Sequence, residues 1–304
     1  MTNAGPERDL VGYGRVPPHV RWPDDALVAI NLVVVYEEGS EQGVAAGDAV
    51  NDGWGEYAAG LAAPVRDLGT ETHYEYGSRA GIWRLARIVD GFGIPVTVSA
   101  TAVALELNPA VAEWLKESGH DLLGHGWRWL PQWEMTREQE AEHLDRAIAS
   151  YERLLGLRPD SYGWNSRSIS SVHTQQLLAE RGFLYDSDPC NDDLPYWIEA
   201  AGRRLLVVPY SKTLNDSRYL VAPGFGSPRD FVELCRAALD ELLFEAAEIG
   251  GRMMTVAVHA RWSGQPARAA AVRELVEYAL SRPGVRFMRR LDIARFWSGS
   301  HPPA

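Results

Sequence analysis

The chain has 304 residues, of which 46% are hydrophobic and 23% charged, an ordinary composition for a globular protein with room for one large domain. Its net charge of −11 argues against binding to nucleic acids and against docking on anionic membranes, because both need basic patches. With only two cysteines, Cys190 and Cys235, neither a disulfide framework nor a cysteine-based metal site is expected.

The start of the chain is rich in proline and lacks a regular hydrophobic pattern, so residues 1–25 are predicted to form an irregular arm. The first residues have neither the basic patch nor the apolar core of a secretion signal. No run approaches the eighteen apolar residues of a membrane span. We therefore expect a cytoplasmic protein with one domain at residues 26–298 and a short tail at 299–304.

The most apolar run, ALVAINLVVVY at residues 26–36, is followed at once by Glu37, Glu38 and Gly39. Its valine and isoleucine content is typical of a strand buried on both faces, as in a parallel sheet. Carboxylates at the carboxyl end of such a strand lie where α/β folds place their chemistry. The alternative is that one of them caps a following helix or faces solvent.

The rest of the chain alternates between strand and helix patterns after a long connection at residues 39–80. Strands are predicted at 95–100, 120–125, 161–165, 183–186, 205–209, 254–259 and 285–288, and helices at 78–91, from 108, at 136–155, from 171, at 228–247 and at 266–281. Asn108 is a candidate N-cap, and Thr136 with Gln139 forms a candidate capping box. This alternation without a linker predicts one parallel α/β barrel or sheet.

Polar side chains stand at or just after the predicted ends of five strands. They are Glu37 and Glu38, His125, then Trp164, Asn165 and Arg167, then Tyr185 and Asp186, and finally His259 and Arg261. The carboxyl ends of parallel strands meet at one end of a barrel, so these side chains are expected to converge on a site.

Several longer segments resemble one family. They are RDLVGYG at 8–14, YEEG at 36–39, YEYGSRAG at 74–81, GHGWRW at 124–129, GFLYDSD at 182–188, DDLPYW at 192–197, VVPY at 207–210, Asn215-Asp216, and RLDIARFW at 290–297. The chain resembles the polysaccharide deacetylase superfamily, and within it the metal-independent allantoinases and related amide hydrolases. The resemblance implies a single distorted (β/α) barrel of about seven parallel strands, and a homo-oligomer, with a tetramer as one form.

The chain departs from the metal-dependent deacetylases at the residues that would hold the metal. Those enzymes have Asp-Asp-Gly after the first strand, where this chain has Glu37 and Glu38, and they have His-x-x-x-His, where it has His125 and Trp129. An indole nitrogen only donates, so Trp129 cannot replace a histidine ligand. We predict catalysis without a metal or other cofactor. The alternative is a weakened zinc site that uses Glu38, His125 and a third residue.

A metal-free amide hydrolase needs side chains for proton transfer, for the oxyanion and for the substrate ring. Glu37 or Glu38 is expected to act as base, and since the two repel, the one with the raised pKa could act as acid. The predicted catalytic residues are Glu37, Glu38, His125 and His259, and the predicted substrate-binding residues are Tyr76, Arg79, Trp129, Trp164, Arg167 and Arg261. The alternatives are that Arg167 and Arg261 are scaffold residues and that Arg79 pairs with Glu75.

Three functions are compatible with the sequence. The first is hydrolysis of a C–N bond in a cyclic amide, either allantoin or a related ureide or imide. The others are metal-dependent N-deacetylation of a carbohydrate and non-catalytic binding of a small ligand. Residues 257–261 and 164–168 differ from the allantoinase-like pattern, so the small-molecule substrate itself stays open.

Overall fold

The computed structural model describes residues 5–56, 59–61, 64–222 and 224–303. The strands are β1 Val28–Tyr36, β2 Thr97–Ala100, β3 Asp121–Gly124, β4 Gly163–Trp164, β5 Tyr185–Asp186, β6 Tyr196–Ala200, β7 Arg203–Val207, β8 Arg252–His259 and β9 Val285–Phe287. The helices are α1 Leu68–Tyr76, α2 Ile82–Phe92, α3 Ala102–Leu107, α4 Pro109–Ser118, α5 Arg137–Leu155, α6 Thr174–Glu180, α7 Pro228–Ile249, α8 Pro266–Leu280 and α9 Arg290–Ser300.

All these strands belong to one curled sheet in the order β6-β7-β5-β4-β3-β2-β1-β8, with β9 also beside β1. Only β6, which runs antiparallel to β7, departs from the parallel arrangement in the described part of the chain. A bridge between Asn215 and Ala257 ties the segment after β7 to β8, so the sheet curls into a half-barrel. The predicted α/β barrel class is confirmed, with eight parallel strands where about seven were expected.

Strand β1 is buried along its whole length, as its apolar sequence predicts. Alternate side chains point to opposite faces of a strand. Val28, Ile30 and Leu32 therefore pack in the large hydrophobic cluster beneath the helices, whereas Val33 and Val35 face the barrel interior with Ala257 of β8. The end of β1 is consequently held between two apolar layers, and the residues that follow it are presented at the mouth of the barrel.

The helix predicted at residues 78–91 begins ten residues earlier than expected. Helix α1, one π-helical turn at Gly77–Gly81 and helix α2 follow one another without a break. A side chain at Gly77 would overlap Glu38, and one at Gly81 would overlap the carbonyl oxygen of Ala260. The two glycines thus let this helix lie directly against the ends of β1 and β8.

One of the two capping predictions is confirmed and the other is wrong. Thr136 and Gln139 form the predicted capping box, and α5 ends at Gly156 in the left-handed conformation. Asn108 precedes α4 as expected, but its side chain does not cap the helix, because its amide instead donates to Ser78. Helices α3 and α9 and strand β6 were not predicted.

The arm and tail contain little regular structure before β1 and after α9 in the residues that are described. The first four residues of the arm and residue 304 of the tail lie outside the described residues. Over the described ranges, none of the helices is both long enough and apolar enough to cross a membrane. The domain boundaries at 25 and 298 stay a prediction.

Candidate active site

A cavity of about 340 Å³ opens at the carboxyl ends of the parallel strands. It is lined by Val35, Glu37, Trp54, His125, Trp129, Asn165, Ser166, Ser168, Ile169, Asp188, Tyr210, Lys212, Asn215, Ser217, Arg218, Val221, His259 and Trp262. Four of the predicted site residues, Glu37, His125, Trp129 and His259, meet in this wall. Of the residues predicted at strand ends, Glu37, His125, Asn165 and His259 converge here as expected.

Glu37 is the buried anion at the inner end of the cavity. Its Oε1 lies 2.6 Å from Nη1 of Arg261, and its Oε2 lies 3.1 Å from Nε2 of His125. Burial opposes the negative charge, but Arg261 and the contact with His125 outweigh it and hold the pKa of Glu37 at about 2. Glu37 is therefore ionised throughout the neutral range.

Arg261 is fully buried behind Glu37 and does not line the cavity. Its guanidinium lies over three aromatic rings, with ring-centre distances of 4.0 Å to Trp262, 4.4 Å to Tyr74 and 5.4 Å to Trp129. Neither Nη1 nor Nη2 has a hydrogen-bond partner among the residues described, so the contact of Nη1 with Glu37 is an ion pair without hydrogen-bond geometry. Desolvation disfavours this cation, but the surrounding anionic groups raise its pKa, so a fixed positive charge stands beside Glu37.

Glu38 points away from the cavity, beneath Gly77. Its Oε2 accepts a hydrogen bond from the backbone N–H of Glu37 at 2.8 Å, and its Oε1 accepts one from the backbone N–H of Arg261 at 3.1 Å. Burial raises the pKa of Glu38 to about 8 despite these contacts. One of the two neighbouring carboxyl groups does have a raised pKa, as predicted, but it is the one outside the cavity.

His125 has three hydrogen-bonding neighbours for two ring nitrogens. Nδ1 lies 2.7 Å from the carbonyl oxygen of Asn165, so Nδ1 carries a proton. Nε2 lies 3.1 Å from Glu37 and 3.2 Å from the indole nitrogen of Trp129. A neutral ring accepts the Trp129 N–H at Nε2, whereas a protonated ring donates from Nε2 to Glu37, and the two arrangements exclude each other.

His259 forms a dyad with Asp216, a residue that sequence reasoning did not select. Nδ1 of His259 lies 2.6 Å from Oδ1 of Asp216, and the backbone N–H of His259 donates to Oδ2 at 2.8 Å. Nε2 is thereby turned toward the cavity, 4.0 Å from Oε1 of Glu37. The only sequence signal for Asp216 was its place in the Asn215-Asp216 match, since it opens a 3-10 helix, Asp216–Tyr219, that is too short for periodicity to reveal.

Arg167 supports the cavity wall from behind. Its guanidinium donates to Asp52 at 2.8 Å and to the carbonyl oxygen of Trp129 at 2.9 Å, and it stacks 3.9 Å from the Trp129 ring centre. Asp52 also accepts from the backbone N–H of Trp54 at 2.7 Å. Arg167 thus fixes Trp129 and, through Asp52, Trp54, rather than lining the cavity itself.

Besides Arg167 and Arg261, three more predicted substrate-binding residues lie outside the cavity. The hydroxyl of Tyr76 accepts a hydrogen bond from Arg84 at 2.6 Å and lies 3.5 Å from the carbonyl oxygen of Gly264, without lining the cavity. The side chain of Arg79 is 81% exposed and lies 3.9 Å from Glu75, the alternative noted from the sequence. Trp164 packs in the hydrophobic core instead of walling a ring, because its strand position turns it toward the helices.

The donor set does not fit the zinc site of the metal-dependent relatives. The indole N–H of Trp129 points at Nε2 of His125, the atom that would have to bind the metal. Arg261 occupies the charge-compensating position beside Glu37, and Glu38 is turned away. Within the described residues no group of three His, Cys, Asp or Glu side chains is arranged to hold a metal ion.

The fold and this wall of carboxylate, imidazole and indole groups define a hydrolase-type site in an α/β half-barrel. Residues 72–184 match the polysaccharide deacetylase family. A Schizosaccharomyces pombe protein whose name places it among polysaccharide deacetylases is 33% identical over 97% of this chain and 98% of its own length. The chain belongs to the polysaccharide deacetylase family, as its motifs predicted.

Two solved structures are similar over nearly the full length. The crystal structure of PuuE allantoinase has 38% identity and a TM-score of 0.93, covering 99% of this chain and 100% of that one. A Pseudomonas aeruginosa PAO1 protein described as a polysaccharide deacetylase has 40% identity and a TM-score of 0.92, covering 98% and 99%. The predicted class, an amide hydrolase of the allantoinase-like or deacetylase-like kind, is confirmed at the level of the family.

Proposed function

We propose that the protein hydrolyses a C–N bond in a cyclic amide, allantoin or a related ureide or imide, without a metal ion. The observation that carries the proposal is the buried Glu37–Arg261 pair, with 2.6 Å between Oε1 and Nη1. It compensates the buried carboxylate with a fixed positive charge behind the cavity wall, so Glu37 stays ionised there without a metal ion. Because Arg261 is itself held by aromatic rings, that charge stays in place during turnover.

In this proposal the His259–Asp216 dyad moves the proton. Nε2 of His259 takes a proton from the attacking water as the water oxygen bonds to the carbonyl carbon. When the C–N bond breaks, the same nitrogen returns that proton to the leaving nitrogen. Asp216 accepts from Nδ1 at 2.6 Å, which orients the ring and stabilises its charged form.

Glu37 is proposed to orient the water rather than to remove its proton. A carboxylate with a pKa of about 2 gives little driving force for accepting a proton from water. It is nevertheless a permanent anion 4.0 Å from Nε2 of His259, so it stabilises the imidazolium that forms there. This revises the role that the sequence alone suggested for Glu37.

We assign stabilisation of the oxyanion to a hydrogen bond from the indole N–H of Trp129. While His125 is neutral, this N–H is occupied by Nε2 of His125 at 3.2 Å. When His125 is protonated and donates to Glu37, the indole N–H is released to the cavity that Trp129 lines. Once released, the indole N–H can donate to the carbonyl oxygen as negative charge develops there.

The size and walls of the cavity favour a small ring over a polymer. Three tryptophans, Trp54, Trp129 and Trp262, line a space of about 340 Å³. Aromatic faces with a few fixed polar groups suit a planar, polar ring. The names of the relatives favour a second candidate, N-deacetylation of a carbohydrate, and this would require a longer open groove and a metal.

A panel of substrates tests the proposal. The purified protein is incubated with hydantoin, allantoin, succinimide and N-acetylglucosamine oligomers, and ring opening and acetate release are both measured. We expect ring opening of at least one cyclic substrate and no acetate. Acetate release without ring opening would establish the deacetylase, and tight binding without any product would establish a ligand-binding protein.

The proposal also includes a cytoplasmic location and a homo-oligomeric state, with a tetramer as one form. The support for the oligomer is the likeness to allantoinase over the full chain. Light scattering on the purified protein measures the mass in solution, and a mass near 33.7 kDa would contradict the oligomer.

A further inference from the structure

Two cationic side chains, Lys212 and Arg218, line the cavity of a chain whose net charge is −11. Both lie on the segment between β7 and α7. The ammonium group of Lys212 has no hydrogen bond or ion pair with the residues that the structure describes. The carboxyl groups in the cavity lining belong to Glu37, which Arg261 already compensates, and to Asp188. The charge state of Asp188 therefore decides whether this part of the cavity is cationic.

Lys212 and Asp188 lie at the same end of the cavity, called the Asp188 end below. The sulfur of Cys190 lies 3.6 Å from the carbonyl oxygen of Asp188. Burial raises the pKa of the Cys190 thiol, and the nearby charge of Lys212 partly opposes that shift. A row of hydrogen bonds through Asn165 separates the Asp188 end from Glu37. The proton transfer proposed above does not use the Asp188 end.

Asp188 is neutral because it lies beside a second carboxyl group without a compensating cation. Its backbone N–H donates to Oδ1 of Asp186 at 2.9 Å, so the two carboxyl groups are neighbours. Neither of them forms an ion pair with the residues described, and two such carboxyl groups do not both ionise readily. Burial and Asp186 raise the pKa of Asp188 well above its ordinary value. Asp188 therefore carries a proton in the neutral range.

This proton leaves one O–H group free to bind a ligand. Oδ1 of Asp188 accepts from the Asn165 amide and from the backbone N–H of Ser166, so the proton lies on Oδ2. Oδ2 lies 2.8 Å from Oγ of Ser166, which also accepts the indole N–H of Trp164 at 3.2 Å. The two oxygens carry two protons but share one hydrogen bond, and no described residue accepts the second proton. Because Asp188 and Ser166 both line the cavity, that O–H is available there.

An ammonium group and a free O–H at one end of a cavity suit a carboxylate. Its oxygens accept from both donors, and hydrogen bonds to an ionised acceptor are stronger than those between neutral groups. A cationic group would instead be repelled by Lys212. Arg218 adds a second positive charge, and it is held at the lining by the Phe225 ring, 5.0 Å from its guanidinium, and by the carbonyl oxygen of Thr213 at 3.3 Å.

We propose that the Asp188 end binds a carboxylate carried by the substrate, with Lys212 and the Ser166–Asp188 hydroxyl pair as its donors. The preferred substrates are then cyclic ureides or imides with an acidic substituent, rather than allantoin, whose substituent is neutral. The inference rests on the proposed function, because it assumes that the reacting ring lies against Glu37. It adds the charge of the substituent that the cavity selects and the residues that bind it.

Three hydantoins that differ only at ring position 5 test the proposal: unsubstituted hydantoin, the carboxymethyl derivative, and the carbamoylmethyl derivative, which has the same shape but no charge. For the wild-type protein we expect kcat/KM for the carboxymethyl compound to exceed that for the carbamoylmethyl compound by about 10–100-fold. In Lys212→Met this ratio is expected to fall to about threefold or less. Lys116→Met is the matched control, because Lys116 is the other lysine of the chain, is exposed on α4 and does not line the cavity.

The control variant is expected to keep the wild-type ratio. Equal kcat/KM for the carboxymethyl and carbamoylmethyl compounds in the wild type would overturn the proposal. A ratio that is unchanged in Lys212→Met would also overturn it. Lys212 is exposed and makes no contact that folding requires, so this variant tests the proposal even if variants of Asp188 fold poorly.

Two variants of Asp188 test whether it acts as a donor. Asp188→Ala removes the O–H, so kcat/KM for the carboxymethyl compound relative to unsubstituted hydantoin is expected to fall by about tenfold. Asp188→Asn places an amide N–H at the position of the O–H and is expected to keep the wild-type value within about threefold. Equal losses in the two variants, or no loss in Asp188→Ala, would overturn the assignment of Asp188 as a donor.

Binding is measured in parallel by calorimetry, with thermal melting as a check on folding. If no ring is opened by any variant, the proposed function fails, but the inference is still tested by the binding of the same compounds. Tighter binding of the carboxymethyl compound, lost in Lys212→Met and kept in Lys116→Met, would support it. Equal binding of the carboxymethyl and carbamoylmethyl compounds to the wild type would overturn it.

Discussion

The indole N–H of Trp129 lies 3.2 Å from Nε2 of His125, four residues earlier in the chain. In the His-x-x-x-His pattern of metal-dependent deacetylases, a second imidazole would stand at this position. In this chain the Trp129 indole donates a hydrogen bond to His125, whereas a second imidazole would bind a metal ion together with His125. The contact also limits His125, whose Nε2 can accept from Trp129 or donate to Glu37 but cannot do both.

The first prediction is that Trp129→His alone does not create a zinc enzyme. The variant restores a second imidazole, but the Arg261 guanidinium remains 2.6 Å from Glu37 and repels a divalent cation. We expect less than one zinc per chain after dialysis and no zinc-stimulated turnover. Trp54→His is the control, because Trp54 lines the cavity without contacting His125. Stoichiometric zinc with zinc-dependent activity in Trp129→His would show that Arg261 does not exclude a metal.

The second prediction separates the two adjacent glutamates. Glu37→Gln removes the carboxylate that contacts His125, His259 and Arg261 together, so kcat is expected to fall by roughly 10²–10⁴-fold. Glu38→Gln lies outside the cavity and replaces a carboxyl group whose pKa is about 8, so most of it is uncharged at pH 7. We expect that variant to keep activity within about tenfold. Equal losses in the two variants would contradict these assignments.

The third prediction concerns the His259–Asp216 dyad. Asp216→Asn keeps the shape of the side chain but removes the charge that orients and stabilises protonated His259, so kcat/KM is expected to fall by roughly 10²–10⁴-fold. Ser263→Ala removes only a hydroxyl that donates to the other oxygen of Asp216, at 2.6 Å. Its loss should be about tenfold or less. Steady-state kinetics on both variants decide whether the charge or only the local packing matters.

The fourth prediction concerns stability and pH. Burial raises the pKa of Asp121, at the start of β3, from 3.8 to about 7, and its Oδ1 has no hydrogen-bond partner among the described residues. The folded state therefore holds a proton that the unfolded chain releases. The stability from this group is complete below pH 3.8 and is lost as the pH rises toward 7.

Asp121→Asn removes the loss of stability at high pH, because an amide does not ionise. Its oxygen still accepts a hydrogen bond from the backbone N–H of Leu291. The free energy of unfolding of the variant should exceed that of wild type by on the order of 2 kcal/mol at pH 8, and the difference should shrink below pH 5. Urea unfolding at several pH values measures this. A difference that does not change with pH would rule out Asp121 titration as its cause.

The sequence predicted the strand ends well because apolar runs that stop at a charge have few structural alternatives. Glu37, His125 and His259 follow such runs, and all three line the cavity. Prediction from the sequence failed where the direction of a side chain depends on packing. Trp164 was assigned to the cavity from its place in a strand, but a strand alternates between two faces, and this residue points to the core.

Residues in loops and in short 3-10 turns escaped prediction for a different reason. Asp216 and Trp54 have no periodic pattern around them, and their positions are set by long-range contacts. A bridge from Asn215 to β8 brings Asp216 to His259, and Asp52 binds both Arg167 and the backbone of Trp54. Arg79, by contrast, belonged to a matching motif but lies on the solvent side of its helix, where it faces Glu75.

The measurement that tests the central claim most directly is the turnover of a cyclic ureide by protein whose metal content has been determined, with and without a strong chelator and after added zinc. The account predicts ring opening by metal-stripped protein at a rate that neither chelator nor zinc changes, and loss of that activity in Glu37→Gln. Activity that disappears with the chelator and returns with zinc would contradict it, and would mean that the Glu37–Arg261 pair opens to admit a metal.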